Sequence, residues 1–131
     1  MRRSNLKRGT KKLKKKSLMP MRKLTDKADK KLQDYYRTLK LMCEVCGNPA
    51  DVMHHFIPKS QSSFLRYNDM DLIPLCKGCH FRHHLTGDPL IHGTVQLKRG
   101  NEWFNELMVL KRKLFSLDRK FLESILIKYT L

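Results

Sequence analysis

The sequence has no run approaching the roughly 18 consecutive apolar residues that a membrane-spanning helix needs. No apolar signal stretch precedes its cysteines either, which argues against a secreted, disulfide-bonded protein. A soluble, intracellular protein without a membrane partner is therefore expected. Acidic residues are few, 12 in 131 positions against 28 Lys and Arg, and none of them lies in residues 1–24, where eleven of the basic residues stand. The formal net charge of +16 is thus concentrated at one end, and a polyanion is the obvious partner. Also lacking are internal repeats beyond two short cysteine pairs, an aromatic RNA-binding motif, and a helix patterned to read bases. At this length the chain suits one small domain plus a tail, and so small a core usually needs a metal or another staple.

What is present is concentrated between Cys43 and His84, which hold all four cysteines and five of the six histidines. Cys43 and Cys46 form one Cys-x-x-Cys pair, and Cys76 and Cys79 form another. Two such pairs about 30 residues apart can give four thiolates to a single tetrahedral zinc and lock together segments too small to bury a core. The histidines form a separate set. His54 and His55 follow the first pair, while His80 and His84 lie four apart where a helix begins at the second, so that both can point at one ion.

The first knuckle, His54-His55-Phe56-Ile57-Pro58, and Asp71-Leu72-Ile73-Pro74-Leu75-Cys76-Lys77-Gly78-Cys79-His80 through His84 together resemble the HNH endonuclease family in its zinc-stapled form. That resemblance covers about a third of the chain. It implies an α+β protein with a ββα-metal (His-Me finger) core, stapled by a four-cysteine zinc and flanked by an N-terminal helix and C-terminal helices. By the same resemblance His55 is the general base, His54, His80 and His84 bind a divalent catalytic metal, and the products carry 5′-phosphate and 3′-hydroxyl ends. Imidazole suits the base, being mostly neutral at pH 7 with an ordinary pKa of about 6.5. A zinc closed by four thiolates has no vacant position for substrate, so the cysteines are structural. Where the family has Asn, this chain has Asp71. The family Asn holds the base-bearing strand in register through an acceptor and a donor; a carboxylate keeps the acceptor, loses the donor, and adds charge that can raise the pKa of His55.

Four segments are expected. Residues 1–24 read as a disordered basic arm, in which Lys11, Lys12, Lys14, Lys15 and Lys16 lie along phosphates. Residues 25–42 read as a helix capped by Thr25 or Asp26, with Ala28, Leu32, Tyr35, Tyr36 and Leu39 on its packing face. Residues 43–87 form the stapled core: a strand over 51–57, a solvent- or phosphate-facing loop with Lys59 and Arg66, a return strand over 71–75, and a metal helix ended by Thr86-Gly87. Residues 88–131 are helical, with Asp88-Pro89 opening one helix, Asn101 capping a second that includes Trp103, Leu107 and Leu114, and Asp118 opening a third. Their apolar faces either cover the metal domain or form a homodimer surface. Arg82 joins Lys59 and Arg66 as a phosphate contact. His83 is left between ligand, phosphate contact and solvent, and His92 is unassigned.

The function expected from these residues is a metal-dependent endonuclease acting on DNA, with RNA not excluded and little sequence preference. Three imidazoles favour Mn²⁺, Ni²⁺ or Zn²⁺ over Mg²⁺ as catalytic ion, with Zn²⁺ in the structural site. The alternative is a catalytically impaired zinc-ribbon nucleic-acid-binding or nucleoprotein accessory protein. Small basic nucleases of this pattern are similar to phage and prophage proteins, which suggests a role in phage or host DNA processing in the cytoplasm of a bacterial cell.

Overall fold

The computed structural model describes residues 18–131, so the lysines from Lys11 to Lys16 lie outside the described residues. The elements run α1 (Met21–Thr38), β1 (Val52–His55), two short 3-10 turns (Leu65–Tyr67 and Asp69–Asp71), β2 (Leu72–Leu75), α2 (Lys77–Thr86), α3 (Pro89–Arg99), α4 (Asn101–Lys111) and α5 (Arg119–Lys128). Mixed helices around a small two-stranded sheet agree with the α+β expectation. The strands pair antiparallel, with Val52 opposite Leu75, His54 opposite Ile73 and His55 opposite Leu72.

Two apolar clusters hold this hairpin between them. On one side Phe56, Ile57, Ile73 and Leu75 pack with Ile91 and Val95 of α3 and Leu107 of α4. On the other, Met53, Tyr67 and Leu72 pack with Leu24, Ala28 and Leu32 of α1 and Leu122, Ile125 and Tyr129 of α5. All four residues of β2 are buried, as befits a strand covered on both faces. The C-terminal helices therefore use their apolar faces to cover the hairpin and α1, which answers the first of the two uses open to them.

Several boundaries differ from the sequence reading, the first strand among them, which spans only Val52–His55 of the expected 51–57. The first helix begins at Met21 rather than Thr25, with Pro20 at its N-cap and no side-chain cap. Residues 21–24, expected in the arm, are helical because Leu24 is the first member of a buried i, i+4, i+8 stripe with Ala28 and Leu32. The same helix stops at Thr38; Lys40 takes a positive φ of 50°, Leu39 is exposed, and Met42 instead bridges Pro49 beside the knuckle. Asn101 does not cap α4: Gly100, at φ 89°, precedes it, and Asn101 is the first helical residue. Leu114 lies beyond α4, fully exposed rather than packed. The other caps agree with the sequence: Asp88 accepts from Leu90 N–H at 3.0 Å, Asp118 accepts from Phe121 N–H at 2.8 Å, and Gly87 closes α2 at φ 63°.

Candidate active site and metal centre

The four cysteines converge although they come from two separate turns. Their sulfurs lie within 4.8 Å of one another, with Cys46 Sγ 3.5 Å from Cys76 Sγ. Sulfurs bound tetrahedrally at about 2.3 Å stand about 3.8 Å apart, so the set fits one metal ion with little adjustment. Burial alone would raise the Cys43 thiol, but backbone N–H groups around it hold it down at about 7, which favours the thiolate a metal requires. Cys76 doubles as N-cap of α2, accepting from Cys79 N–H at 3.4 Å. The knuckle is fastened to β2 by Arg99 of α3, which pairs with Glu44 and donates to Leu72 O at 3.0 Å. Trp103 Nε1 donates to Met70 O at 2.9 Å and anchors the approach to that strand.

The histidines gather in a second group, drawn from β1, α2 and α3. His54, buried in the middle of β1, and His80 and His84, one turn apart on α2, place ligand nitrogens within 4.8 Å of one another. His83 and His92 join them: His54, His83 and His92 form a second set of the same tightness. Burial, followed by repulsion from His92 and His83, lowers His54 to about 2, and burial lowers His92 to about 4. Both are therefore neutral at pH 7, the form in which imidazole binds metal. A cleft of about 790 Å³ opens here, lined by His54, His55, His80, His83 and His84 together with Gln33, Arg37, Lys59 and Arg66.

His55 sits beside this cluster on the edge of the same cleft. Its Nε2 is 2.8 Å from Arg66 O, and since a carbonyl only accepts, Nε2 carries the proton and Nδ1 the lone pair. Burial holds its pKa below the ordinary value, opposed by the Arg66 carbonyl and by Asp29. Asp71 does not act on His55 in the way its charge suggested. It is fully buried, and burial pushes its carboxyl up to about 7, so near neutrality a large share of it is the uncharged acid, which keeps a donor hydrogen. Its Oδ1 accepts from Ile57 N–H at 2.6 Å and its backbone O from Phe56 N–H at 2.9 Å, just beyond the β1 histidines. Its Oδ2 is buried without a partner. Asn68, three residues before Asp71, caps the second 3-10 turn by accepting from Met70 N–H at 3.0 Å.

Lys59, Arg66 and Arg82, expected on phosphate, are engaged within the protein. Arg66 is half-buried and gripped by both oxygens of Asp29, at 3.2 and 2.5 Å, because the segment after Lys59 folds inward on Ser62, Leu65 and Tyr67 rather than facing solvent. Lys59 lies 3.5 Å from the same carboxylate, and Arg82 pairs with Asp88 at 2.8 Å. Bonds from Arg66 and Tyr67 hold Asp29 below its ordinary pKa although burial would raise it. Asp29 and Gln33, both on α1, are the residues that sequence reasoning missed. Gln33 donates to Met53 O at 2.8 Å and accepts from Met53 N–H at 2.9 Å, bracing β1 next to His54. Their helical spacing, i and i+4, was the signal available, since it puts both on one face of α1.

Comparison with known proteins bears on the same segment of the chain. Residues 43–85 match the family described as HNH endonuclease. Over 46 residues the chain is 41% identical to the mitochondrial DNA mismatch repair protein mutS homolog of Sarcophyton glaucum, a match covering 32% of this chain and 5% of that protein. The chain thus spans a small fraction of the length of the relative it matches. No solved structure matches it. Two cysteine pairs, a histidine pair on β1 and a histidine-bearing helix all lie inside the segment, residues 43–85, that matches the HNH endonuclease family.

Proposed function

We propose that the chain is a metal-dependent DNA endonuclease of the HNH type, built on a ββα-metal site formed by β1, β2 and α2. The observation that carries this reading is the convergence of His54, His80 and His84 beside His55, whose lone pair is fixed on Nδ1 by the Arg66 carbonyl. In it the four cysteines hold a structural Zn²⁺, and the three-histidine set holds the catalytic divalent ion. That ion, when bound, supplies positive charge to the scissile phosphate and the leaving oxygen. His55 Nδ1 takes a proton from the attacking water as the new P–O bond forms; the P–O3′ bond breaks, leaving a 5′-phosphate and a 3′-hydroxyl protonated from solvent. Asp71 keeps the strand end in place through Ile57, as the family Asn does. Lys59 lines the cleft and, with Asp29 already taken up by Arg66, presents positive charge to the DNA backbone, while Lys11, Lys12, Lys14, Lys15 and Lys16 add sequence-independent attraction.

The test is supercoiled-plasmid cleavage with added divalent metal, alongside metal content, for wild type, His55→Ala and His80→Ala. His55→Ala should abolish cleavage while keeping its metal, and His80→Ala should abolish cleavage by removing a ligand of the catalytic ion. Wild-type rates from His55→Ala would refute the assignment of the base, and an inert wild type under all of these metals would favour the non-cleaving DNA binder.

A further inference from the structure

His92 lies on α3, seven residues beyond the end of the matched segment, and nothing in the proposed chemistry uses it. Yet its ring is held in place on both faces. It stacks on Phe56 with centroids 4.1 Å apart and planes 18° apart, and on His83 at 4.0 Å and 15°. Phe56 is itself buried, so the seat is part of the core. The free edge of the ring points at His54, with Nε2 to Nε2 at 2.8 Å. Two nitrogens bound to one ion at about 2.0–2.1 Å each stand about 2.9–3.4 Å apart for ligand angles between a right angle and a tetrahedral one. The His54–His92 pair is already close to that spacing, and His83 completes a triad within 4.8 Å.

We propose that His54, His83 and His92 form a second position for a divalent late first-row ion, overlapping the His54, His80 and His84 position and excluding it. Exclusion follows from His54, because a neutral imidazole has a single lone pair to give. Three imidazoles without a carboxylate select Zn²⁺, Ni²⁺, Co²⁺ or Cu²⁺ over Mg²⁺. The histidine cluster therefore binds one ion, not two, and an ion on the α3 side withdraws His54 from the catalytic set. This last consequence, inhibition by excess late transition metal, rests on the reading given under Proposed function; the second position itself does not.

The experiment titrates Co²⁺ into the full chain with its cysteine site filled by Zn²⁺, following the ligand-field absorption. Thiolate charge-transfer bands report any exchange into the cysteines, and circular dichroism reports folding. Wild type should bind one equivalent, and His84→Ala should still bind one through the second position. Adding His92→Ala to His84→Ala should weaken binding by more than the roughly hundredfold that marks the upper range for a side chain that only orients a ligand. His92→Gln, which retains a hydrogen-bonding partner for His54, should not rescue it. No Co²⁺ on His84→Ala, a loss within a hundredfold on the second substitution, rescue by Gln, or two equivalents on wild type would each overturn the proposal. His92→Ala alone should keep one equivalent through His80 and His84; its loss there would support the second position while sinking the first, so the two readings fail separately.

Discussion

Replacing Asp71 by Asn exchanges an ionisable carboxyl for a neutral amide of nearly the same shape. In the fold this group is inaccessible to solvent, one oxygen accepts from Ile57 N–H at 2.6 Å, and the other has no partner. Burial keeps its proton on up to about 7, whereas an unfolded chain releases it near 3.8. Below 3.8 both states hold the proton and nothing is lost. Between 3.8 and about 7 only the folded state holds it, so stability falls as pH rises through this window, and above it the loss is complete. At 1.36 kcal/mol per pH unit the whole window amounts to about 4 kcal/mol, of which about 2 kcal/mol remains to be lost above about pH 5.5. Urea denaturation of the zinc-loaded wild type and Asp71→Asn, at intervals from about pH 5.5 to 8.5, isolates it, because the cysteine and histidine contributions are common to both chains. Asp71→Asn should gain on wild type by about 2 kcal/mol across that range and level off above about pH 7. A difference between the two that stays flat with pH would refute the neutral buried acid.

Gln33→Ala leaves the N–H and C=O of Met53 without their partner and should cost about 1–3 kcal/mol in urea denaturation, with wild-type zinc content. Cys79→Ser removes a buried member of the sulfur cluster; under the proposed zinc assignment it should lower the zinc content measured by elemental analysis and lose the cooperative thermal transition. Deleting residues 1–17 removes nine Lys and Arg, and should flatten the dependence of log DNA affinity on log salt by several units in a filter-binding series. An unchanged slope would mean those residues make no phosphate contacts.

The sequence was most informative where chemistry constrains spacing. Two Cys-x-x-Cys pairs and histidines four apart on a helix have few other uses, and they lie together in the fold. Asp88-Pro89, Asp118 and Gly87 were legible for a similar reason, since capping is local and depends on one or two residues. What sequence could not supply was long-range. The start of α1 was placed at a plausible cap, but it is decided by Leu24 packing against the same face as Leu122 and Ile125, a contact between chain ends that no local pattern encodes. Arg66 reads as a free cation until Asp29, 37 residues earlier, is seen to grip it. His92 had no motif at all, and its place beside His54 exists only because α3 folds back over Phe56.

Gln33 has a further consequence, for what the hairpin can do in company. In an antiparallel pair every second residue turns its N–H and C=O away from its partner, so the outer side of β1 would offer a template to any extended chain passing by. The carboxamide of Gln33 occupies both groups of Met53 in the middle of that row, with the geometry of one more strand but only one residue long. A two-stranded sheet is thereby closed on this edge by a side chain, and growth by strand addition at Met53 must first displace it.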